Sequence, residues 1–138
     1  MICKVRSLPF PSINCARRGV SEGAMAHLAA DLTSAFAHVQ NTEHQIHRTF
    51  VIGGATLYTD TLAFPSTAPV FVDRILLTRI HEPDFECDVF MPDFTQTDAE
   101  WHKATHEQLK SWVGFDVPEG IQEENEVKYE FQMWTRDA

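Results

Sequence analysis

Basic residues are scarce in this chain. Lysine and arginine together number 11, against 20 aspartates and glutamates, and the formal net charge is −9. A phosphate polymer or an anionic bilayer surface would be repelled overall, so neither nucleic acid nor membrane is an expected partner. Cysteine is scarce too. Cys3, Cys15 and Cys87 are far apart and odd in number, with no CxxC or zinc spacing, which favours reduced thiols. Long apolar runs are missing: nothing approaches the roughly 18–20 residues that cross a bilayer. The apolar stretches of residues 1–20 are broken by Lys4, Arg6, Arg17 and Arg18, unlike a secretory leader. The expected location is cytoplasmic, with a mitochondrial one left open. Among seven histidines, His102 and His106 stand four apart and His44 and His47 three apart, but no third ligand or HExxH pattern joins them, so no metal site is expected.

What is present reads as alternating strands and helices. Ile2–Val5 is a short strand that Pro9 and Pro11 end, and Pro11–Gly23 is a polar loop. Ala24–Leu28 is a possible second strand. Asp31 fits an N-cap, and Leu32, Ala35, Phe36 and Val39 fall on one helical face. Gln40–Arg48 connects to a strand at Phe50–Ile52, followed by a helix at Ala55–Leu62. Two successive strand–helix units predict crossovers and parallel pairing. Phe71–Ile80 is apolar enough at its centre to be covered on both faces. Asp84–Phe90 is a short strand, and Asp98 caps a helix whose stripe holds Trp101, Leu109 and Trp112. Pro118-Glu119-Gly120 is a turn. In the tail, Val127, Tyr129, Phe131 and Met133 alternate with Lys128, Glu130 and Gln132, a period of two that suits antiparallel pairing.

Only six glycines occur, and two are adjacent, at Gly53 and Gly54, where strand character gives way to helix. Without a Cβ, the backbone there can come within contact distance of a ligand. The following helix turns its unpaired N–H groups and positive dipole end to the same spot, which suits a phosphate. A tight turn is the alternative reading of the pair.

Taken in order, the Gly-Gly corner in VIGGATLY, then LLTRI, CDVFMP and VKYEFQMW resemble dihydrofolate reductase, in its fungal form. The resemblance runs from about Ile2 to Arg136 and covers the C-terminal part of that family's domain, making residues 1–138 a single partial domain. It implies an α/β fold with a mixed, mostly parallel sheet and an antiparallel C-terminal strand, incomplete because the first strands are missing. It further implies NADPH-dependent reduction of 7,8-dihydrofolate to tetrahydrofolate, with NADPH and dihydrofolate as ligands. Gly53 and Gly54 match a cis Gly–Gly peptide. With Ala55, Thr56, Leu57 and Tyr58 they match the stretch around the NADPH pyrophosphate and nicotinamide. Ile52 matches a position between the folate and nicotinamide pockets, and Tyr58 the aromatic residue near hydride transfer. Arg6, with Val5 and Ser7, matches the segment that holds the adenosine 2′-phosphate, although Val5 replaces the usual hydroxyl residue. Thr78 matches the threonine that supports the catalytic carboxylate, and Asp88 and Phe90 a loop near the active-site loop. Without the resemblance, Tyr58 reads as a core tyrosine, Arg6 as a solvated strand end and Thr78 as a β-branched strand residue.

The family's N-terminal features have no counterpart in the residues before Ile2: its first central strand, its Trp-containing loop, the helix with the catalytic acid and a GRxTW-type turn. No catalytic residue is therefore assigned, Thr78 being a supporting one. The resemblance puts the missing strand between those ending at Ile52 and containing Thr78, which would leave two open edges. Low activity of this chain alone, and self-association or complementation by an N-terminal fragment, are the expectations. Two other readings are a non-catalytic NADP-binding or interaction fragment and a riboflavin-pathway-type reductase.

Overall fold

A computed structural model describes residues 2–7 (backbone), 27–41, 46–96 and 101–137. Strand β1 spans Ile2–Ser7, helix α1 Leu32–Gln40, β2 Thr49–Val51, α2 Ala55–Leu62 and β3 Val70–Glu82. A 3-10 turn at Phe94–Gln96 follows, then β4 at His102–Lys103, α3 at His106–Val113, β5 at Gln122–Glu124 and β6 at Val127–Thr135. The sheet order is β2-β1-β3-β6-β4, with β5 on β6.

Every pairing among these strands is antiparallel, which corrects the expected mostly parallel sheet. The crossover logic holds for the second unit alone, since β1 and β2, on either side of α1, are antiparallel. Strands β2 and β3 run the same way, joined through α2, but β1 lies between them and runs against both. Cys3 pairs with Val51 on one side and Ile75 on the other. The two open edges expected at this place are thus joined through β1, whose N–H and C=O groups serve both neighbours.

A β-bulge sets the core. The β1–β3 register passes from Lys4↔Arg74 to Val5↔Val72, placing one extra residue, Asp73, on β3. Val72 and Ile75 therefore face the same way although three apart, and both are fully buried. They pack with Val51, Val70, Phe36, Tyr58 and Phe94. Phe94 meets Trp101 and Trp134 edge-on, with ring centroids 5.5 and 5.4 Å away. On the other face α3 buries Leu109 and sets Trp112 edge-on to Phe50 at 6.2 Å. The expectation that β3 is covered on both faces holds along its first half; its last five residues are exposed. Arg136 secures the bulge: its Nε donates to the Val72 carbonyl at 2.6 Å and its backbone N–H to the Asp73 carbonyl at 3.1 Å.

The helix ends follow local chemistry. The Ser34 N–H donates to the Asp31 carboxylate at 2.7 Å, and the Asp31 N–H donates back to the Ser34 hydroxyl at 3.2 Å, a reciprocal cap. Thr105 and Gln108 do the same for α3. The expected cap at Asp98 lies outside the described residues. The helix begins instead at His106, and Trp101 precedes it outside any helix. His102 is on β4 and His106 in the first turn of α3, so the two do not form a helical pair. Residues 84–90 carry no strand and are exposed throughout, Phe85, Val89 and Phe90 among them. Residues 27–28 are not in a strand, and the rest of Ala24–Leu28 is outside the described residues, as are Pro11–Gly23 and His44. Asn125 and Glu126, with φ of 49° and 66°, make the two-residue turn between β5 and β6. That hairpin was not expected.

Ile75 has no exposed surface and sits where β1, β3 and β6 meet. Ile75→Ala is expected to cost about 2–5 kcal/mol, measured by urea denaturation followed by far-UV circular dichroism.

Candidate functional site: the Gly53–Gly54 corner

At the end of β2 the chain turns through Ile52 and Gly53 into α2. The Gly53–Gly54 peptide is cis, as the resemblance implies, and Gly53 has φ +107°, a conformation that L side chains rarely adopt. A Cβ on Gly53 would stand 3.1 Å from the Tyr58 hydroxyl and 3.3 Å from its ring. A Cβ on Gly54 would meet no atom within 4 Å. The two glycines therefore do different work. Gly53 seats the corner on the buried Tyr58 ring, while Gly54 leaves its outer side open to an approaching group.

Gly54 is also the N-cap of α2 and has no side chain with which to satisfy the first turn. The Tyr58 N–H closes the first helical bond on the Gly54 carbonyl at 3.0 Å, so the N–H groups of Ala55, Thr56 and Leu57 precede the helical ladder. Thr56 is exposed beside them, and Leu57 is half-buried against the core. Cβ-free backbone together with uncapped amides fits a phosphate or pyrophosphate.

A cavity of about 480 Å³ adjoins the corner, lined by Val51, Ile52, Gly53 and Leu57 with Phe36 and Arg48. Asp31 is also on its wall, where the Ser34 N–H and hydroxyl hold its carboxyl below the usual range. Ile52 is 74% exposed, so a large apolar side chain borders the open corner. Arg48 is the lining residue that sequence reasoning missed. It had been read only as the end of a polar connector, and its one signal is standing next to the strand.

The other expected site residues are spread out. Thr78 lies on β3 opposite Phe131 and is exposed, facing a second groove lined by Leu76, Leu109 and Phe131. It shares the corner's end of the sheet, but β1 intervenes, which puts it roughly 10 Å away at two strand spacings. Arg6 and Ser7 are not brought to the corner by strand register. Val5 pairs with Thr49, so Arg6 lies toward residue 48, roughly 16 Å along the sheet from Gly53 at about 3.3 Å per residue. Their side chains lie outside the described residues. Asp88 and Phe90 are exposed in the irregular segment after β3.

An antiparallel α/β sheet with a cis Gly–Gly corner opening a helix defines the class of fold. Comparison with known proteins makes the class specific. The dihydrofolate reductase family matches residues 16–136, and the chain belongs to that family. It is 38% identical to dihydrofolate reductase of Cryptococcus neoformans var. neoformans, over 84% of this chain and 58% of that protein. It is 46% identical to dihydrofolate reductase of Pneumocystis carinii, over 67% of this chain and 44% of the relative. Against dihydrofolate reductase of Schizosaccharomyces pombe the identity is 30%, over 70% and 21% respectively. The chain thus spans about half the length of the first two relatives it matches. The fungal character read from the motifs agrees with these names, and neither the riboflavin-pathway nor the non-catalytic alternative is favoured. Arg6 and Ser7 fall outside the matched residues.

The division of labour at the corner has a direct test. Gly53→Ala is expected to lose more than about 1 kcal/mol, because the new side chain meets both an unfavourable φ and the Tyr58 ring. Gly54→Ala should stay within about 0.5 kcal/mol of the parent. Thermal and urea denaturation of the pair measure the difference, and equal losses would contradict the assignment.

Proposed function

We propose that this chain binds NADPH at the Gly53–Gly54 corner and contributes to the NADPH-dependent reduction of 7,8-dihydrofolate to tetrahydrofolate. The observation that carries the cofactor reading is the outer side of Gly54, empty to 4 Å and set at the uncapped start of α2. The N–H groups of Ala55, Thr56 and Leu57 would hold the pyrophosphate, with the Thr56 hydroxyl as a further donor. When bound, NADPH supplies the hydride. Tyr58 keeps the corner in shape from beneath, and the exposed Ile52 gives the nicotinamide an apolar neighbour that excludes water. In a chain of net charge −9, such fixed local donors are what make a dinucleotide acceptable.

Dihydrofolate, as the second ligand, belongs to the same end of the sheet, where the resemblance assigns Ile52, Tyr58 and Thr78 to it. The carboxylic acid that the Thr78 hydroxyl would support is one the resemblance assigns to the family's N-terminal part. In this reading the 138 residues bind cofactor, and turnover requires that part as well, whether covalently joined or supplied as a fragment. The groove at Thr78, with Phe131 36% exposed and Phe115 68% exposed, is the apolar surface on which such a fragment would pack.

Titration with NADPH, followed by nicotinamide fluorescence, tests the proposal. Saturable binding is expected, weakened at least tenfold in Gly54→Val with the far-UV circular dichroism spectrum unchanged. Equal affinity in parent and variant would show that the corner is only a turn. Absence of saturable binding by the parent chain would overturn the cofactor reading.

A further inference from the structure

The end of the sheet opposite the corner holds a second, separate arrangement. A cleft of about 810 Å³ lies between α3 and the strands beneath it, bordered by Arg48, Arg74, Gln108, Ser111, Trp112 and Thr135. The Arg48 guanidinium carbon is 4.1 Å from the Trp112 ring centroid, and that of Arg74 is 5.8 Å from the same ring. One indole thus gathers two guanidinium groups. A guanidinium stacked on a ring keeps its N–H edge directed outward, the geometry that grips a two-oxygen face of phosphate or carboxylate.

Strand register explains the convergence. Phe50, Lys4 and Arg74 are aligned across β2, β1 and β3, and Arg48 stands two residues before Phe50, immediately ahead of β2. Arg48 pairs with no carboxylate among the described residues. Arg74 touches the Asp73 carboxylate through Nη1, yet its Nε is buried with no hydrogen-bond partner. A buried charged donor without an acceptor is costly unless something fills the place. Three carboxylates also border the cleft. Asp73 is engaged by Arg74, and Glu107 and Asp137 are exposed, where solvent and salt screen them.

We infer that this cleft is a binding site for a small multivalent oxyanion, a phosphate or a polycarboxylate, held between Arg48 and Arg74 with Ser111 and Gln108 as neutral donors. The site does not rest on the NADPH reading: no residue of the Gly53–Gly54 turn borders it, although Arg48 lines both this cleft and the cavity beside the corner.

The test is titration of the chain with inorganic phosphate and, separately, with citrate, at ionic strength held constant with chloride. Trp112 is the reporter, assigned by loss of the signal in Trp112→Phe. A saturable fluorescence change is expected with at least one of the two anions and none with chloride. Arg48→Gln should weaken it tenfold or more while Gly54→Val leaves it unchanged. Arg74→Gln risks the fold, because Asp73 would lose its partner, so the half-buried Arg48 carries the decision. A response that never saturates with either anion, or one that Arg48→Gln does not alter, overturns the site. If Gly54→Val removes NADPH binding and spares the anion response, the two sites are separate, as inferred.

Discussion

The thirteen-residue strand β3 is the constraint on which the rest of the structure depends. It is hydrogen-bonded along both edges, to β1 and to β6, and its Val72 and Ile75 have no exposed surface. The bulge at Asp73 makes this possible. Without the extra residue, Val72 and Ile75 would point to opposite faces, and one of them would leave the core. The bulge also turns the Asp73 carbonyl toward the Arg136 backbone, and Arg136 reaches from there to the carbonyls of Val72 and Phe64. Burial holds the Arg136 guanidinium below its usual pKa, and the charge of Asp73 partly offsets the effect. One residue thus joins the end of β6, the bulge and the exit of α2.

The corner inherits its position from that frame. Strand β2 is only three residues long and, among the described residues, has one strand neighbour, β1. Three residues of ladder would not fix a turn to better than the spread of a loop. What fixes it is Tyr58, buried in the same cluster as Val51, Val72 and Ile75, and pressed from above by Gly53. The first turn of α2 is therefore anchored by packing rather than by a capping side chain. The amides at its start can stay uncapped because the helix does not need a cap to remain in place.

Much of this was legible in the sequence where a single local rule decides. The bounds Ala55–Leu62 follow from the glycine pair and the helical residues after it, and Asp31 from its position before an apolar stripe. Strand β6 was read from its period of two, although burial does not alternate as expected. Gln132 and Met133 are both buried, because α3 covers one face and Trp134 with its neighbours the other. What stayed hidden depends on distant partners. The sequence around Ile2–Ser7 says strand but not where, and the antiparallel slot between β2 and β3 is set by edges some 45 and 70 residues further along. The residues 84–90 have strand composition and no pairing neighbour among the described residues, so propensity alone did not make a strand. At the site, glycine chemistry identified the corner, whereas Arg48 needed the register and the Trp112 ring before it meant anything.

Charge placement separates the two ends of the sheet. The corner offers no cationic side chain among the residues of its turn, only backbone amides and a helix dipole, so its attraction for an anion is short in range and fixed in direction. The cleft at the other end offers charged forks gathered on Trp112, with carboxylates nearby, which act over a longer distance and respond more to salt. A ligand that must be held in one orientation for chemistry belongs at the first kind of site. One that need only be retained can use the second. The strand register puts roughly 16 Å of sheet between Arg6 and Gly53, and Arg6 is the arginine the resemblance matches to the adenosine 2′-phosphate segment. The two anion-binding features are read as two sites because no residue of the Gly53–Gly54 turn borders the cleft, with Arg48 the wall that their cavities share.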